Sequence, residues 1–173
     1  MQRVASLYLP PWPPDRLRRK LGASAPPADT PVVLFGRQGR RREILALDAA
    51  ARNAGLRIGM PASKAQVLVP DLISLELEPR EDAAALDRLA LWALRYAPIV
   101  APDPPDGLII DTTGADHLHG GEAAMLANLV SRMESSGIAA RAAVADAWGT
   151  AHAAARSLAH PIAIIPPGQA AAA

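Results

Sequence analysis

The run PPWPP at residues 10–14 directly follows the β-rich stretch RVASLYL, residues 3–9. Proline has no N–H to give a ladder, so the first strand must end there and the chain must leave the sheet through a rigid turn. The segment up to residue 78 then carries strand and helix signals of its own. PVVLFG (31–36) and EILAL (43–47) are β-rich and are separated by the basic RQGRRR, which suggests a hairpin or neighbouring strands. DAAARNAGL opens on a capping Asp48 and closes at Gly55, a short helix with both end signals. Pro61 suits the first turn of another short helix that must stop before Pro70. ISLELE (73–78) alternates as a strand does, and Asp15 is expected to cap RLRRKL, with Gly22 as its stop. Residues 11–78 are therefore expected to form a small lobe inserted between the first strand and the rest of its sheet.

The second half reads helix, strand, strand, helix, strand, helix, strand. Residues 81–96 place Leu86, Leu89, Ala93 and Tyr96 on one face, and 122–137 repeat the pattern through Leu126, Leu129, Val130 and Met133. IVAP, GLIIDTT, IAARAAVA and PIAIIPP supply strands, and AWGTAHAAARSLA a helix. The expected class is α+β, a ferredoxin-like mixed sheet with helices on one face. Its domain would comprise residues 1–10 and 79–166, with 167–173 a disordered tail.

Half of the residues are hydrophobic but only 3% are aromatic, so a core must be built from Leu, Ile, Val and Ala. The 18 basic and 17 acidic side chains nearly cancel, so nucleic acid would have to be met by local patches. With no cysteine, disulfides and thiolate metal sites are excluded. Prolines interrupt the apolar start before a signal-peptide core forms, and no stretch approaches the ~20 apolar residues of a membrane span. These features agree with a cytoplasmic protein.

The chemistry candidates centre on PDGLIIDTTGADHLHGG, residues 105–121. Asp106 and Asp111 stand five apart, which in a regular strand puts them on opposite faces. Two-metal catalysis needs carboxylates converging on ions ~3.5–4 Å apart, so Asp106 would need a partner from elsewhere, or Asp111 if the strand is bulged. Asp116, His117 and His119 read as a polar loop into the next helix. Arg37, Arg40, Arg41 and Arg42 form one basic cluster that could meet DNA phosphates, and Arg16, Arg18, Arg19 and Lys20 another. No Walker loop, G-x-S-x-G or H-E-x-x-H occurs.

The run DAAARNAGLRIGMPASKAQVLVPDL resembles the fingers segment of Y-family translesion DNA polymerases through Ala51, Arg52, Gly55, Arg57, Met60 and Pro61, in order and spacing. The order of the remaining elements is similar to that family's palm, so the resemblance covers nearly the whole chain and implies a palm with a small fingers insertion, without thumb or little finger. It implies a phosphate-facing role for Arg52. The departures fall on the chemistry: Tyr8 stands where the family's first strand supplies a metal-binding Asp, and the Asp-Glu pair becomes Asp106-Gly107. Ala49 replaces the fingers tyrosine, and the later lysine positions fall near Trp148 and His152. One of three expected acidic groups remains, enough at most for a weakly held Mg²⁺ at Asp106, so no cofactor is expected. The pattern resembles the ImuB-type, catalytically inactive subgroup, which implies a non-catalytic adaptor in damage-induced translesion synthesis. It also implies as partners a RecA-like accessory protein, an error-prone replicative-type polymerase and the sliding clamp. The alternatives are a weakly active metal-dependent nucleotidyltransferase and an unrelated α+β binding domain.

Overall fold

The computed structural model describes residues 2–169; the end of the expected tail, 170–173, lies outside the described residues. The chain divides into two compact units, Met1–Pro10 with Ala83–Ala173, and Pro11–Asp82.

The first unit is a five-stranded mixed sheet. Its strands are β1 (Val4–Tyr8), β5 (Ile99–Asp103), β6 (Gly107–Asp111), β7 (Arg141–Ala145) and β8 (Ile162–Ile164), in the order β5-β6-β1-β7-β8. β1 is central and antiparallel to both β6 and β7. Being covered on both faces, it shows no alternation of apolar and polar residues. The helices are α4 (Pro79–Ala93), α5 (Glu122–Ser135) and α6 (Trp148–Ser157). α5 buries Met125, Leu126, Leu129, Val130 and Met133, one stripe at helical spacing. Arg3 and Leu7 lie on one face of the β1 strand line, Ser6 and Tyr8 on the other. Arg3 reaches Glu122 in the first turn of α5, which places α5 on the Arg3 face. Ala90, Leu91 and Leu94 line a groove with Val100 and Pro102, whose register carries them to that same face.

α6 packs on the opposite face. Its Ala154 and Ala155 lie in a cluster with Ala143, Ala163 and Tyr8. Alanines on helix and strand alike let the two backbones approach closely, which is where the alanine-rich composition is used. The Gly168 N–H donates to Asp146 Oδ2 at 2.6 Å.

The second unit has a three-stranded sheet, β2 (Val32–Gln38), β3 (Arg41–Leu47) and β4 (Ile73–Glu76), in the order β3-β2-β4, with β2 and β4 parallel. Around it lie α1 (Trp12–Leu21), α2 (Ala49–Asn53) and α3 (Ala62–Leu68). Val33, Phe35, Ile44, Leu47, Ala51, Leu56 and Ala65 form its main core. The helix α1 starts at Trp12, ahead of the cap expected at Asp15. Pro13 and Pro14 fill first-turn positions whose N–H groups have no helical partner, and Asp15 instead places its charge in the first turn. Asp48 does cap α2, accepting from Ala51 N–H at 2.8 Å. It also accepts from Val32 N–H and binds the Arg18 guanidinium at 2.7 Å, so one buried carboxylate joins β2, α2 and α1.

The basic cluster at the end of α1 is largely used internally rather than turned to phosphates. Arg16 pairs with Asp82 and Glu78, Arg18 with Asp48, and Lys20 with Glu78. Arg16 and then Lys20 hold the Glu78 carboxyl below its usual range, while burial pushes Asp82 up against the pull of Arg16.

Candidate functional site

The register of β1 on β6 sets Tyr8 directly opposite Gly107. The Leu9 N–H donates to the carbonyl of Asp106 at 2.8 Å, so the backbone one step before β6 is also fixed against β1. A Cβ at Gly107 would stand 2.8 Å from the Leu7 carbonyl oxygen and 3.3 Å from Arg156 Nη2. Backbone, not a movable side chain, closes that position, so glycine there is a packing requirement.

Asp106 lies one step before β6, with its carbonyl still paired to β1 through the Leu9 N–H. Asp111 is no partner for it. The β1–β6 register runs without a shift from Gly107 to Asp111, so there is no bulge, and Asp111 Oδ1 accepts the Thr113 N–H at 3.0 Å. The carboxylate that shares the neighbourhood of Asp106 is Asp103, the last residue of β5, opposite Gly107 in register. Arg156 on α6 joins the two: Nη2 donates to Asp106 Oδ1 at 2.8 Å and lies 3.8 Å from Asp103 Oδ2. Its Cζ sits 4.5 Å from the centre of the Tyr8 ring, a cation–π contact. His152, one turn earlier, places Nδ1 3.0 Å from Asp103 Oδ2, and its ring lies 4.9 Å from that of Trp148.

The sequence carries a signal for Asp103 and for Arg156, neither of which matches the family pattern. APDPPDG is a short Pro-rich link between two strands, which brings Asp103 back beside Gly107. His152 and Arg156 are four apart on a helix and so share a face.

The chemistry of this donor set does not fit a two-metal centre. Mg²⁺ asks for near-octahedral oxygen ligands. Here Tyr8 and Gly107 supply no carboxylate, and both carboxylates present already face a guanidinium. Among the described residues no group of three or more His, Asp or Glu is arranged to hold a metal ion. Asp116, His117 and His119 form a short 3-10 turn, with His119 Nε2 3.2 Å from the Tyr96 carbonyl and its ring 5.4 Å from that of Tyr96.

The remaining candidates belong to the second unit. Ala49 and Arg52 are both exposed on α2, and the Arg52 carbonyl accepts from Arg57 Nη1 at 2.8 Å. Arg37 and Arg42 are cross-strand partners in the β2–β3 hairpin, with Arg40 and Arg41 at its turn, and all four are exposed. Arg42 is engaged, pairing with Glu76 and lying over the Phe35 ring at 5.0 Å. Exposure of that pair keeps its contribution to stability small, within about 1 kcal/mol.

Comparison with known proteins bears on this geometry. Residues 25–156 match the model of the impB/mucB/samB family. The protein ImuB of Caulobacter vibrioides is 51% identical over 115 residues, 66% of this chain and 25% of that protein. DNA polymerase IV of Dehalococcoides mccartyi is 29% identical over 119 residues, 68% of this chain and 30% of that one. Among solved structures, DinB from Sulfolobus solfataricus superposes with a TM-score of 0.74 at 17% identity, over 96% of this chain and 49% of that chain. An insertion ternary complex of Dbh DNA polymerase gives 0.76 at 17% identity, over 95% and 48%. The chain thus spans a quarter to a third of the curated relatives' length and about half of the solved chains. No helix among the described residues is long and apolar enough to cross a membrane.

Proposed function

Because the chain belongs to the impB/mucB/samB family, we propose that it is a non-catalytic, polymerase-like adaptor in damage-induced translesion DNA synthesis. In this reading residues 1–10 and 79–166 act as a palm and 11–78 as fingers, with Arg52 a retained phosphate-facing position and Arg37, Arg40, Arg41 and Arg42 a DNA-facing patch. The observation that carries it is the pairing of Tyr8 with Gly107. Where the family resemblance calls for two carboxylates on adjacent strands, one position bears a phenol and the other has no room for a side chain. The likeness to ImuB supports the same reading. A RecA-like protein, an error-prone polymerase and the sliding clamp are the partners it implies.

The test is genetic. The isosteric Asp106→Asn change is introduced into the full-length gene, and damage-induced mutation frequency is scored in a strain lacking that gene. An adaptor retains wild-type mutagenesis with Asn at 106. Loss of mutagenesis to the level of the deletion, with normal protein abundance, would mean that Asp106 takes part in chemistry.

A further inference from the structure

On the Arg3 face of the first unit's sheet, α4 and α5 turn outward a surface whose side chains the fold leaves unused. At the end of α4, Leu91 and Leu94 are 69% and 44% exposed and edge the groove they share with Val100 and Pro102. Beside them the Arg95 guanidinium lies 4.5 Å from the centre of the Trp92 ring, and its Nε donates to the Trp92 carbonyl at 3.0 Å, which holds the cation in place. Across the seam between the two helices, Asn128 Oδ1 accepts from the Tyr96 hydroxyl at 2.7 Å and from Arg132 Nε at 3.1 Å. Burial pushes the Tyr96 phenol up while Arg132 and then Arg95 pull against it, so both cations stand on this seam. Arg88, one turn before Trp92 on α4, is a third exposed cation. Elsewhere Arg3, Arg16, Arg18 and Arg156 are each paired with a carboxylate. Among the described residues Arg88, Arg95 and Arg132 have no such pair, and Asp87 is the single carboxylate lining the groove. We propose that this surface docks an acidic amphipathic helix of a partner protein, with its apolar stripe over Leu91 and Leu94 and its carboxylates on Arg88, Arg95 and Arg132.

The combination of leucines with unpaired arginines selects the chemistry. Exposed leucines gain about 25 cal/mol per Å² only when apolar groups cover them, and a phosphate backbone brings none. Aromatic residues and arginine are enriched in protein interfaces, and guanidiniums without a carboxylate of their own are met by one from outside. A second copy of this chain fits poorly, because a two-fold interface would bring the same three arginines against one another. A strand added to β5 fits no better, since Pro98 and Pro102 lack the N–H groups that a new ladder would need. A helix laid in the groove needs no such donors. The inference extends the adaptor reading by a surface and a partner chemistry but uses nothing of the β1–β6 geometry, so the two fail separately.

The test places a photoreactive benzophenone side chain at Leu91 in the full-length protein, in growing and in DNA-damaged cells, with exposed Ala153 on α6 as the control position. The expected adduct is specific to Leu91, sensitive to protease and resistant to nuclease, and mass spectrometry maps it to a segment with more Asp and Glu than Lys and Arg. Arg95→Glu with Arg132→Glu should lower its yield at least about tenfold, as like charges then face each other. Exchanging the mapped segment's acidic residues for lysine should restore it. If the double variant melts early, Arg88→Glu, at an exposed position on α4, supplies the charge reversal. A nuclease-sensitive adduct, an adduct with a second copy of the chain, a mapped segment without acidic excess, a yield indifferent to charge reversal, or no adduct above that at Ala153 would each overturn the inference.

Discussion

Replacing Arg3 by methionine is expected to destabilise the first unit by about 3 kcal/mol, the lower end of what breaking a buried ion pair costs when one partner is removed. Arg3 Nε and Nη2 hold Glu122 through both carboxylate oxygens, at 2.6 and 2.8 Å, and Nη1 holds Asp146 at 2.8 Å. Nη2 also donates to the Ile165 carbonyl at 3.0 Å. One side chain, only 10% exposed, therefore joins β1, the first turn of α5 and the segment after β8. Methionine fills much of the volume but strands the Glu122 carboxylate and leaves Asp146 with the Gly168 N–H alone. Urea unfolding monitored by circular dichroism, with hydrogen exchange in β8 as the local reading, checks this; a loss below about 1 kcal/mol would mean that the network is no more than a surface pair.

The pH dependence has a definite sign. Gly168 N–H, then Arg3, holds the Asp146 carboxyl below its usual range. A carboxyl with a depressed folded-state pKa contributes stability that is present above its unfolded value, near ~3.9, and lost as pH falls through the folded one. The gap between wild type and Arg3→Met should therefore be constant from neutral pH down to about 5 and shrink below about 4.

The second large effect concerns an apparent repair. The double change Tyr8→Asp, Gly107→Glu writes carboxylates back onto adjacent strands, and is expected to lower stability by about 3 kcal/mol or more without creating a nucleotide site. Tyr8 packs with Ala143, Ala154 and Ala155, and that contact is lost. The new Cβ at 107 would lie 2.8 Å from a backbone oxygen, which forces β1 and β6 apart and costs about 1–3 kcal/mol by itself. Arg156 remains among the new carboxylates as their cation. Calorimetry with Mn²⁺ and a deoxynucleoside triphosphate should show nothing beyond the wild type. A stable double variant that bound the metal–nucleotide complex would mean that only two side chains separate this chain from a working centre.

Much of the fold is legible from local signals, because its elements are short and well punctuated. The prolines at 10, 11, 13 and 14 end β1 where expected, yet two of them also open α1, since proline is tolerated in a first turn as well as barred from a sheet. Asp15 misled for that reason: the residue type that caps helices also favours their first turn. Basic residues on α1 were unreadable as phosphate ligands or ion pairs, because their partners Glu78 and Asp82 lie some sixty residues away. The site was half legible. Tyr8 and Gly107 stand out as departures from a resemblance and Asp106 as what it keeps, whereas Arg156 matches no motif and draws its meaning from two carboxylates on another element. Family resemblance points to what has been lost; what has replaced it is found from contacts.

The most direct measurement is a titration of the wild-type chain with a deoxynucleoside triphosphate in the presence of Mg²⁺ or Mn²⁺, beside Asp106→Ala. A chain whose carboxylates are held by Arg156 and whose β1–β6 pair offers no second ligand is expected to show no metal-dependent heat that differs between the two proteins. Metal-dependent binding in the wild type that disappears in the variant would show a surviving nucleotide site at Asp106 and contradict the non-catalytic account.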